Sequence, residues 1–430
     1  MAARLAGLLL IGAACGLLPH AAFGRPTDPL EGLIVREIRV TGLRNLSPDA
    51  VIPHLATRTG EPFRRRTLAL DQRRLDELRL FSAVDIRPEL DAGAVVLQVA
   101  VTETLRVLPV VMLRVTDENG VSAGGGVRAI NLLGRETQSG ASVLFGGDES
   151  VTVLVDRTTI TPGTWSRHTG ICYSSRRNSL YDFDERATTI EFRIGRNFTR
   201  GLKVGGLASL LSVDTGTSGA SLSADGEDLL PTLGAFMTLD TLDSSTNPRH
   251  GTWAEVETDW LAGDARSWTV ILDGRRFQRL SDRHGLGLFS LASFQSGEVG
   301  VHLPEYLQFA LGGANTVRGW ALGSRTGRNQ FIGTAEYTYV IRDVTPFSVF
   351  GFNAYAGLQL ATFADVGLAW TDSTDRKWGS AIDGYGVGVR VLVPFVDLIR
   401  IDVAWGEPGR GATAYFGVSL KAARQRQRVR

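Results

Sequence analysis

The chain has 430 residues, with 46 Lys and Arg against 45 Asp and Glu, so its net charge is close to zero. This balance argues against binding to a polyanion such as nucleic acid through bulk charge. After Leu18 no stretch reaches the roughly twenty apolar residues that a membrane-spanning helix needs. Glycine and short Val, Leu, Phe and Tyr runs are abundant, which indicates a protein built mainly of β-strands.

The amino terminus has the pattern of a secretory signal peptide. Arg4 is followed by an apolar run over Leu5–Leu18 and by small residues around Ala22–Gly24. We expect residues 1–24 to be removed, so that Cys172 is the one remaining thiol. No internal disulfide is therefore predicted, in spite of the oxidising compartment that a signal peptide implies.

The next segment, residues 33–105, has the order β-α-α-β-β and predicts a small α+β domain. Charged and apolar residues alternate as in a half-buried strand, and Gly42 closes that strand. Pro48 in a first helical turn and Thr67 as a cap predict two helices. The predicted elements are a strand over Val35–Val40, helices over Asp49–Ala56 and Thr67–Leu78, and strands over Ala83–Leu90 and Ala94–Val101.

Residues 106–420 indicate strands throughout, each about ten residues long, which is the length that a tilted strand needs to cross a bilayer. We count about sixteen. Over Thr252–Trp260, Glu255 and Glu257 share one face and Val256 lies on the other. A soluble sandwich also alternates, but so many strands without a helix are typical of a membrane barrel. The predicted fold class is mainly β: a 16-stranded antiparallel transmembrane β-barrel preceded by one small α+β domain.

Two later strands have the same opposed faces. Over Gly384–Val391, three glycines and Arg390 share a face opposite aromatic and aliphatic residues. Arg400 and Asp402 lie together on one face of the following strand. The charged or glycine face is expected to line water inside the barrel, with lipid outside. Residues 421–430 then form a basic tail that we expect to be solvated.

Four short motifs occur in the strand region. The first in importance is Leu311–Trp320 (LGGANTVRGW), which falls between predicted strands eleven and twelve, at the end of the barrel away from the amino-terminal domain. Its glycines let the backbone fold inward, and Arg318 offers a rigid charged fork. The motif residues are Asp240, Asp243, Asn247, Pro248 and Gly251 at a turn between strands eight and nine; Val317, Arg318, Gly319 and Trp320 at the loop tip; Glu336 on strand twelve; and Phe363, Asp365 and Gly367 on strand thirteen.

A guanidinium buried in a barrel lumen needs a carboxylate within hydrogen-bond reach. Asp365 and Glu336 both face inward from neighbouring predicted strands. We therefore predict that Arg318 pairs with Asp365, with Glu336 nearby. The sequence leaves open whether this pair only stabilises the barrel or also serves its activity, because losing one member of a buried pair is destabilising in either case.

The ordered pattern over residues 33–105, with Gly42 after the first strand, Phe63 between the helices and Glu103 at the end, resembles a POTRA domain. The four motifs resemble those of the BamA/TamA superfamily of outer-membrane assembly and transport barrels. The resemblance implies a periplasmic POTRA domain that binds extended chains at a sheet edge. It also implies an insertase or translocator whose seam lies between the first strand, near Arg106–Thr116, and the last, near Ala414–Leu420. Most such assembly factors carry several POTRA domains, whereas this sequence predicts one.

Three functions stay open at this point. The first is an insertase or translocator for other outer-membrane polypeptides. The second is a two-partner-secretion exporter of one dedicated passenger, although the stretch before Ile34 is short for the plug helix of such exporters. The third is a passive channel or surface antigen.

The resemblance implies the outer-membrane bilayer and unfolded β-rich client polypeptides as partners, with periplasmic chaperones or accessory proteins as further candidates. We expect no nucleic acid partner, no cofactor, no metal and no enzyme activity. A G-x-S-x-G pattern at Gly120–Gly124 lacks the elbow and helix that a serine hydrolase needs. No spacing of histidines or cysteines matches a metal motif.

Overall fold

The computed structural model describes residues 29–419 apart from short segments. Those segments are residues 45, 49–50, 78–79, 104–106, 117–118, 131–136, 158–161, 200, 217–218, 245–246, 350–351, 373–375 and 394–396. The predicted signal peptide and the basic tail lie outside the described residues. The chain divides into two compact units, one of residues 1–105 with 348–353 and one of residues 106–347 with 354–430.

The amino-terminal unit is a three-stranded sheet with one α-helix. Its elements are β1 (Val35–Thr41), a 3-10 helix (Ile52–His54), α1 (Arg65–Glu77), β2 (Phe81–Asp91) and β3 (Ala94–Glu103). The sheet order is β1-β3-β2, with β1 parallel and β2 antiparallel to β3. No helix among the described residues is long and apolar enough to span a membrane.

The first predicted helix, over 49–56, is wrong in its described part. Of those residues only the 3-10 turn Ile52–His54 is helical. Pro53 has no N–H, and its ring disfavours helical geometry at the preceding residue. The carboxylate of Asp71 accepts the N–H of Ala56, which takes this donor out of any helical ladder.

The second predicted helix forms, but it begins earlier than expected. α1 starts at Arg65, so Thr67 lies inside the first turn and does not cap the helix. The Thr67 hydroxyl instead donates to the carbonyl of Arg64 at 2.7 Å. Leu75, on the inner face of α1, is fully buried against the sheet core.

Residues on which the POTRA resemblance rests have structural roles in this unit. Gly42 has a φ of 87°, and a Cβ there would lie 1.9 Å from the carbonyl oxygen of Val101, so a larger residue does not fit. Phe63 is fully buried in the core. The Glu103 carboxylate accepts the N–H of Arg44 at 2.7 Å, which fixes the loop after β1.

The second unit is an antiparallel sheet of sixteen strands that forms a nearly closed barrel. The strands of this unit, in chain order, are β4 (Val107–Thr116), β5 (Gly120–Ile130), β6 (Thr137–Gly146), β7 (Asp148–Arg157), β8 (Trp165–Asn178), β9 (Phe183–Thr199), β10 (Leu202–Asp214), β11 (Glu227–Asp240), β12 (Gly251–Leu261), β13 (Ser267–Arg279), β14 (His284–Gln295), β15 (Phe309–Leu311), β16 (Arg325–Gly327), β17 (Asn329–Val349), β18 (Phe352–Trp370), β19 (Ile382–Val393), β20 (Asp397–Trp405) and β21 (Thr413–Ser419). β15 and β16 pair with each other outside the barrel sheet. The predicted mainly β fold with a 16-stranded antiparallel barrel is confirmed.

Each barrel strand pairs with the next along the chain, and β4 and β21 are the two ends of the sheet. We call the end of the barrel where β4 begins the near end and the opposite end the far end. The turn 241–250 joins the eighth and ninth strands at the near end. The loop 296–328, which we call the lumen loop, joins the eleventh and twelfth strands at the far end, where the sequence placed it.

Side chains alternate between the two faces of the barrel wall. Along β12, Glu255, Glu257 and Asp259 are buried on the inner face, whereas Val256 on the outer face is 41% exposed. Tyr385 on β19 is 60% exposed. A charged interior with an apolar exterior is the arrangement of a barrel that faces lipid.

The lumen loop folds back into the barrel. It contains a 3-10 turn (Glu305–Leu307) and the β15–β16 hairpin, and the loop tip lies between these two short strands. Leu311 and Val317 have no exposed surface and pack with Ile332 and Ile382 of the barrel wall. A last 3-10 turn (Trp378–Ser380) follows β18.

Candidate functional site in the barrel lumen

The tip of the lumen loop is a closed turn that presents Arg318 to the wall. Gly312 has a φ of 111° and Gly313 one of 80°, a region that favours glycine. The Thr316 hydroxyl accepts the Gly312 N–H at 2.8 Å, and the Gly313 N–H donates to the carbonyl of Trp320 at 2.8 Å. The backbone therefore folds back on itself, as the glycine content of the motif predicts.

Arg318 and Asp365 form the pair that the sequence predicts. The guanidinium donates to both carboxylate oxygens, at 2.7 Å from Nε and 2.8 Å from Nη2, and the Arg318 backbone N–H donates to Asp365 at 3.1 Å. The Thr334 hydroxyl donates to the same carboxylate at 2.8 Å. The Arg318 Cζ lies 3.2 Å from the ring centroid of Phe363, which adds a cation–π contact. Two-point pairing of this kind is strong and directional.

Glu336 and three further charged residues join this pair, and the sequence motifs did not assign those three to the site. Arg318 Nη1 also donates to Asp402 at 2.9 Å, while it stands 3.7 Å from Glu336. The Glu336 carboxylate accepts hydrogen bonds from Arg390, at 3.2 Å from Nε and 2.7 Å from Nη2. Arg390 also donates to Asp402, and Arg400 Nε lies 3.3 Å from Asp402.

We call these six residues the lumen charge cluster. Its members are Arg318, Arg390, Arg400, Glu336, Asp365 and Asp402. Three positive and three negative side chains balance, which offsets much of the cost of burying them. The alternation of β19 and β20 already placed Arg390, Arg400 and Asp402 on the inner face, so that pattern was the signal that could have added them to the site.

Glycines on the wall make room for the loop tip. A Cβ at Gly367 would lie 2.6 Å from the side chain of Val317, and one at Gly384 would lie 1.9 Å from the carbonyl oxygen of Arg318. Real Cβ atoms essentially never come this close to another heavy atom, so a side chain at either position would displace the loop tip. Of the glycine face predicted for β19, Gly384 is thus the position on which the loop tip rests.

The loop tip also contacts the last three barrel strands. The N–H of Gly319 donates to the Tyr415 hydroxyl on β21 at 2.9 Å. The indole N–H of Trp320 donates to the carbonyl of Asp383 at 2.8 Å. Gly319 has a φ of 91°, and a Cβ there would lie 2.5 Å from the backbone of Trp405. All four predicted tip residues therefore touch the barrel wall.

The predicted turn motif forms a rigid turn at the near end. The Asp243 carboxylate accepts the N–H groups of Arg249 at 2.9 Å and His250 at 3.1 Å. Gly251 has a φ of 112°, and a Cβ there would lie 2.3 Å from the carbonyl oxygen of Thr241. The acid and the glycine of the motif thus hold the backbone path of the turn.

This turn reaches across the lumen to β18. Gln359 donates to the side-chain oxygen of Asn247 at 3.1 Å, and Arg249 donates to the carbonyl of Asp282. Asp240, at the end of β11, accepts the N–H of Leu242 at 3.2 Å. A cavity of about 240 Å³ has lining residues from both the turn and the loop tip. Among them are Asn247, Pro248, Arg249, Ala314, Arg318, Glu336, Asp365 and Arg400.

At the far end, Tyr306 of the lumen loop packs against side chains of the barrel wall. The Tyr306 hydroxyl donates to the buried carboxylate of Asp228 at 2.6 Å, and that carboxylate also accepts the N–H of Leu222 at 3.0 Å. Burial and the neighbouring Asp228 raise the pKa of Tyr306. Burial, with Glu305 nearby, raises the pKa of Tyr181 to about 12. Both hydroxyls are therefore neutral at physiological pH, and that of Tyr306 is the donor to Asp228.

The pattern at Gly120–Gly124 has a structural role. Ser122 lies on β5, where its buried hydroxyl accepts the N–H of Asp148 at 2.8 Å. Within the described residues, no group of three or more His, Cys, Asp or Glu side chains is placed to hold a metal ion.

The Omp85 superfamily domain matches residues 131–421, more than half of the chain. The chain belongs to the Omp85 superfamily. Among solved structures, it matches BamA from Haemophilus ducreyi lacking POTRA domains 1–3, at 13% identity and a TM-score of 0.56, over 90% of this chain and 83% of that one. CdiB from Acinetobacter baumannii matches at 14% identity and a TM-score of 0.54, over 90% and 74% of the chains. CdiB from Escherichia coli matches at 15% and 0.54, over 90% and 76%.

At these identities the likeness shows the fold, which is that of a BamA/TamA-type Omp85 barrel. A comparison with curated proteins gives no match. Omp85 membership together with the barrel fold implies the bacterial outer membrane as the location.

Proposed function

We propose that this Omp85 protein is an outer-membrane insertase or translocator that captures client polypeptides at its amino-terminal unit and assembles or exports them at its barrel. The observation that carries the proposal is the position of the lumen loop. Its tip is fixed to β18, β19, β20 and β21, the four strands that lead to one end of the sheet. A loop held in this way connects the lumen charge cluster to the seam.

The seam offers two strand edges to a client. β4 and β21 end the sheet, and the short β21 (Thr413–Ser419) pairs with β20 on its other side. Edge strands present N–H and C=O groups that can pair with another chain. A client strand that adds there would extend the sheet by the same hydrogen bonds that hold the barrel.

The sheet of the amino-terminal unit also has edge strands that could accept a client. Because the sheet order is β1-β3-β2, both β1 and β2 are edge strands. The start of β1 is partly covered, since the Val35 N–H donates to the carbonyl of Glu61 at 3.0 Å and the Gly60 N–H donates to Val35 at 2.8 Å. We therefore expect the β2 edge to accept an extended client more readily, with the unit lying in the periplasm.

The contents of the lumen favour this function over a passive channel. Inside the lumen, the loop tip is bonded to Asp365 of the barrel wall. The turn 241–250 reaches in from the near end to Gln359, and Tyr306 donates a hydrogen bond to Asp228 at the far end. A diffusion channel of this size usually keeps an open aqueous path. A dedicated exporter is the second candidate, because CdiB matches nearly as well as BamA.

The test is a reversible lock of the seam in cells. In a Cys172→Ser background, one cysteine replaces Val111 on β4 and one replaces Phe416 on β21, with neighbouring positions scanned for the best disulfide yield. The matched control joins Ile401 to Phe416, which are already opposite each other in the β20–β21 ladder. Quantitative proteomics of the outer-membrane and secreted fractions is the measurement.

We expect the seam lock to deplete client proteins and a reducing agent to restore them, while the control has no effect. Broad loss of barrel proteins would identify an insertase, and loss of one secreted protein would identify an exporter. A locked seam with normal levels of both fractions would contradict the proposal.

A further inference from the structure

We propose that the outer face of the barrel carries a binding site for an anionic phospholipid at its near end. The site, which we call the near-rim site, comprises Arg157 on β7, Arg167 on β8 and Arg196 on β9. The three guanidinium groups bind the phosphate of the headgroup, and the acyl chains lie along the apolar wall between the two ends of the barrel. This site is independent of the proposed function, because it faces lipid and involves no client.

The three arginines lie side by side on one face of neighbouring strands. Arg157 and Arg167 are directly opposite each other in the β7–β8 ladder, and Arg196 lies opposite Trp165, two residues before Arg167. Opposite residues have Cβ atoms about 5 Å apart and diagonal ones about 7 to 8 Å apart. Like charges in such positions repel each other, whereas a phosphate over them would accept hydrogen bonds from all three guanidinium groups.

The face that carries the near-rim site is the one that faces lipid. Arg167 and Arg196 are exposed, whereas the neighbouring Ser166 points inward and is buried. Further along the same face, Ile171 on β8 and Ile190 on β9 lie opposite each other and are 51% and 44% exposed. An apolar surface therefore begins directly beyond the arginines, as the acyl chains of a bound lipid require.

The depth of the site on the wall is that of a phospholipid headgroup. Arg167 and Arg177 are ten positions apart on β8, and Arg196 and Arg186 are ten positions apart on β9. With a rise of about 3.3 Å per residue and a tilt of about 40°, this spacing is about 25 Å across the membrane, which is the height of the apolar band of such barrels. Each strand thus has one arginine at either edge of the band.

The arginines at the far edge have acidic partners within the protein. Arg177 donates to Asp184 at 3.0 Å and to Asp182 at 2.6 Å, and Arg186 Nη1 lies 3.7 Å from Asp214. At the near edge, the outward residues of β6 to β9 that the structure describes include no Asp or Glu. The far edge is therefore neutralised by the chain itself, whereas the near edge has a net positive charge.

The sequence of the adjoining turns keeps the near edge positive. Residues 131–136, 158–161 and 200 lie outside the described residues, and they contain one acid, Glu136, against two bases, Arg135 and Arg200. A ligand that balances the charge must therefore be an anion. A zwitterionic headgroup brings its own cation, so the site favours a phospholipid with net negative charge.

Two aromatic side chains flank Arg196 at this depth. The Arg196 Cζ lies 5.9 Å from the ring centroids of both Trp165 and Phe198, which are 51% and 56% exposed. Aromatic residues on the outer face of a barrel mark the membrane–water interface. They therefore place Arg196 at the level where the phosphates of the bilayer lie.

The experiment is native mass spectrometry of the full folded chain in detergent micelles. The chain is titrated with phosphatidylglycerol and, separately, with phosphatidylcholine of the same acyl chains. The near-edge variant combines Arg167→Gln with Arg196→Gln. The matched control combines Arg177→Gln with Arg186→Gln, which makes the same change in charge on the same two strands at the far edge.

We expect the wild type to bind phosphatidylglycerol at least about tenfold more tightly than phosphatidylcholine. The near-edge variant should lose about 25-fold in affinity for phosphatidylglycerol, because each basic residue at a lipid surface contributes about fivefold. Its affinity for phosphatidylcholine should not change. The far-edge control should stay within about twofold of the wild type for both lipids, since its arginines already have partners.

Equal affinity of the wild type for the two lipids would overturn the proposal without any variant, so the test survives if a variant fails to fold. A folded near-edge variant that keeps the wild-type affinity for phosphatidylglycerol would also overturn it. So would a control that loses as much affinity as the near-edge variant, because the effect would then come from total charge and not from this site.

Discussion

Two walls of the lumen bury charge in different ways. The first, which we call the loop wall, comprises β18 to β21, and its Asp365 takes its guanidinium partner from the lumen loop. The second, the paired wall, comprises β9 to β13, and there Arg193 bridges Glu255 at 3.3 Å and Glu257 at 2.9 Å within the wall itself. The ion pairs of Arg193 lie within the paired wall, whereas Asp365 on the loop wall takes its cation from the loop tip. The charge on the loop wall therefore depends on where the loop is.

Replacing Arg318 with Ala is expected to have the largest effect. It leaves Asp365 and Asp402 buried with one guanidinium fewer, which should destabilise the barrel by about 3 to 5 kcal/mol. Arg318→Lys keeps the charge but loses the two-point fork, so its stability should lie between those of Arg318→Ala and the wild type. Urea unfolding followed by gel mobility measures this, with client assembly assayed in the folded fraction. Full client assembly by a folded Arg318→Ala barrel would limit Arg318 to a stabilising role.

Replacing Gly384 with Ala tests whether the fit of the loop, apart from its charge, holds the loop wall together. The new Cβ would lie 1.9 Å from the carbonyl oxygen of Arg318, so the tip must shift, at a cost of about 1 to 3 kcal/mol. Gly206→Ala is the matched control, because its nearest neighbour would be 3.5 Å away. Protease cleavage of the loop in intact barrels is the measurement, and equal cleavage in both variants would show that the wall tolerates the shift.

Replacing Arg193 with Ala tests the paired wall. Glu255 keeps the hydroxyl of Thr238 as a donor at 2.7 Å, and the Arg193 side chain is partly exposed, so we expect a loss of about 1 to 2 kcal/mol. Protease cleavage of the lumen loop should not change. If Arg193→Ala released the loop as Arg318→Ala does, the distinction between the two walls would be wrong.

Replacing Asn247 with Ala is expected to have the smallest effect. Its side chain accepts one hydrogen bond from Gln359, which links the turn of the paired wall to the loop wall, and its loss should cost about 1 kcal/mol. His250→Ala is the control, because its contact with Asp243 uses the backbone N–H. Ion conductance in planar bilayers should rise for Asn247→Ala alone. Equal conductance in the two variants would show that this hydrogen bond does not restrict the near end.

The sequence was sufficient for the strand count, the position of the lumen loop and the pairing of Arg318 with Asp365. These follow from a period of two along each strand and from motifs with charged residues at defined places. The partners Asp402 and Tyr415 were not predicted, because alternation gives the face of a residue but not its height along the barrel. Height depends on the tilt and stagger of strands that are far apart in the chain.

The same limit explains Arg193. Glu255 and Glu257 were recognised as inward-facing, but their partner comes from β9, three strands away across the curved wall. In the amino-terminal unit the error has another cause. Residues 49–56 have a helical sequence pattern, but Pro53 and the Asp71 carboxylate limit the helix to one 3-10 turn.

The contacts of the loop tip have a consequence for the order of folding. The partner of the Gly319 N–H lies 96 residues later in the chain, and those of the Arg318 side chain lie 47 and 84 residues later. Contacts of such long sequence separation form late, because the chain between them must first be ordered. The loop therefore has its full set of partners once the last strand is in place. Insertion of the tip can then serve as a marker of completed barrel assembly, and an unfinished barrel would leave Arg318 accessible to proteases.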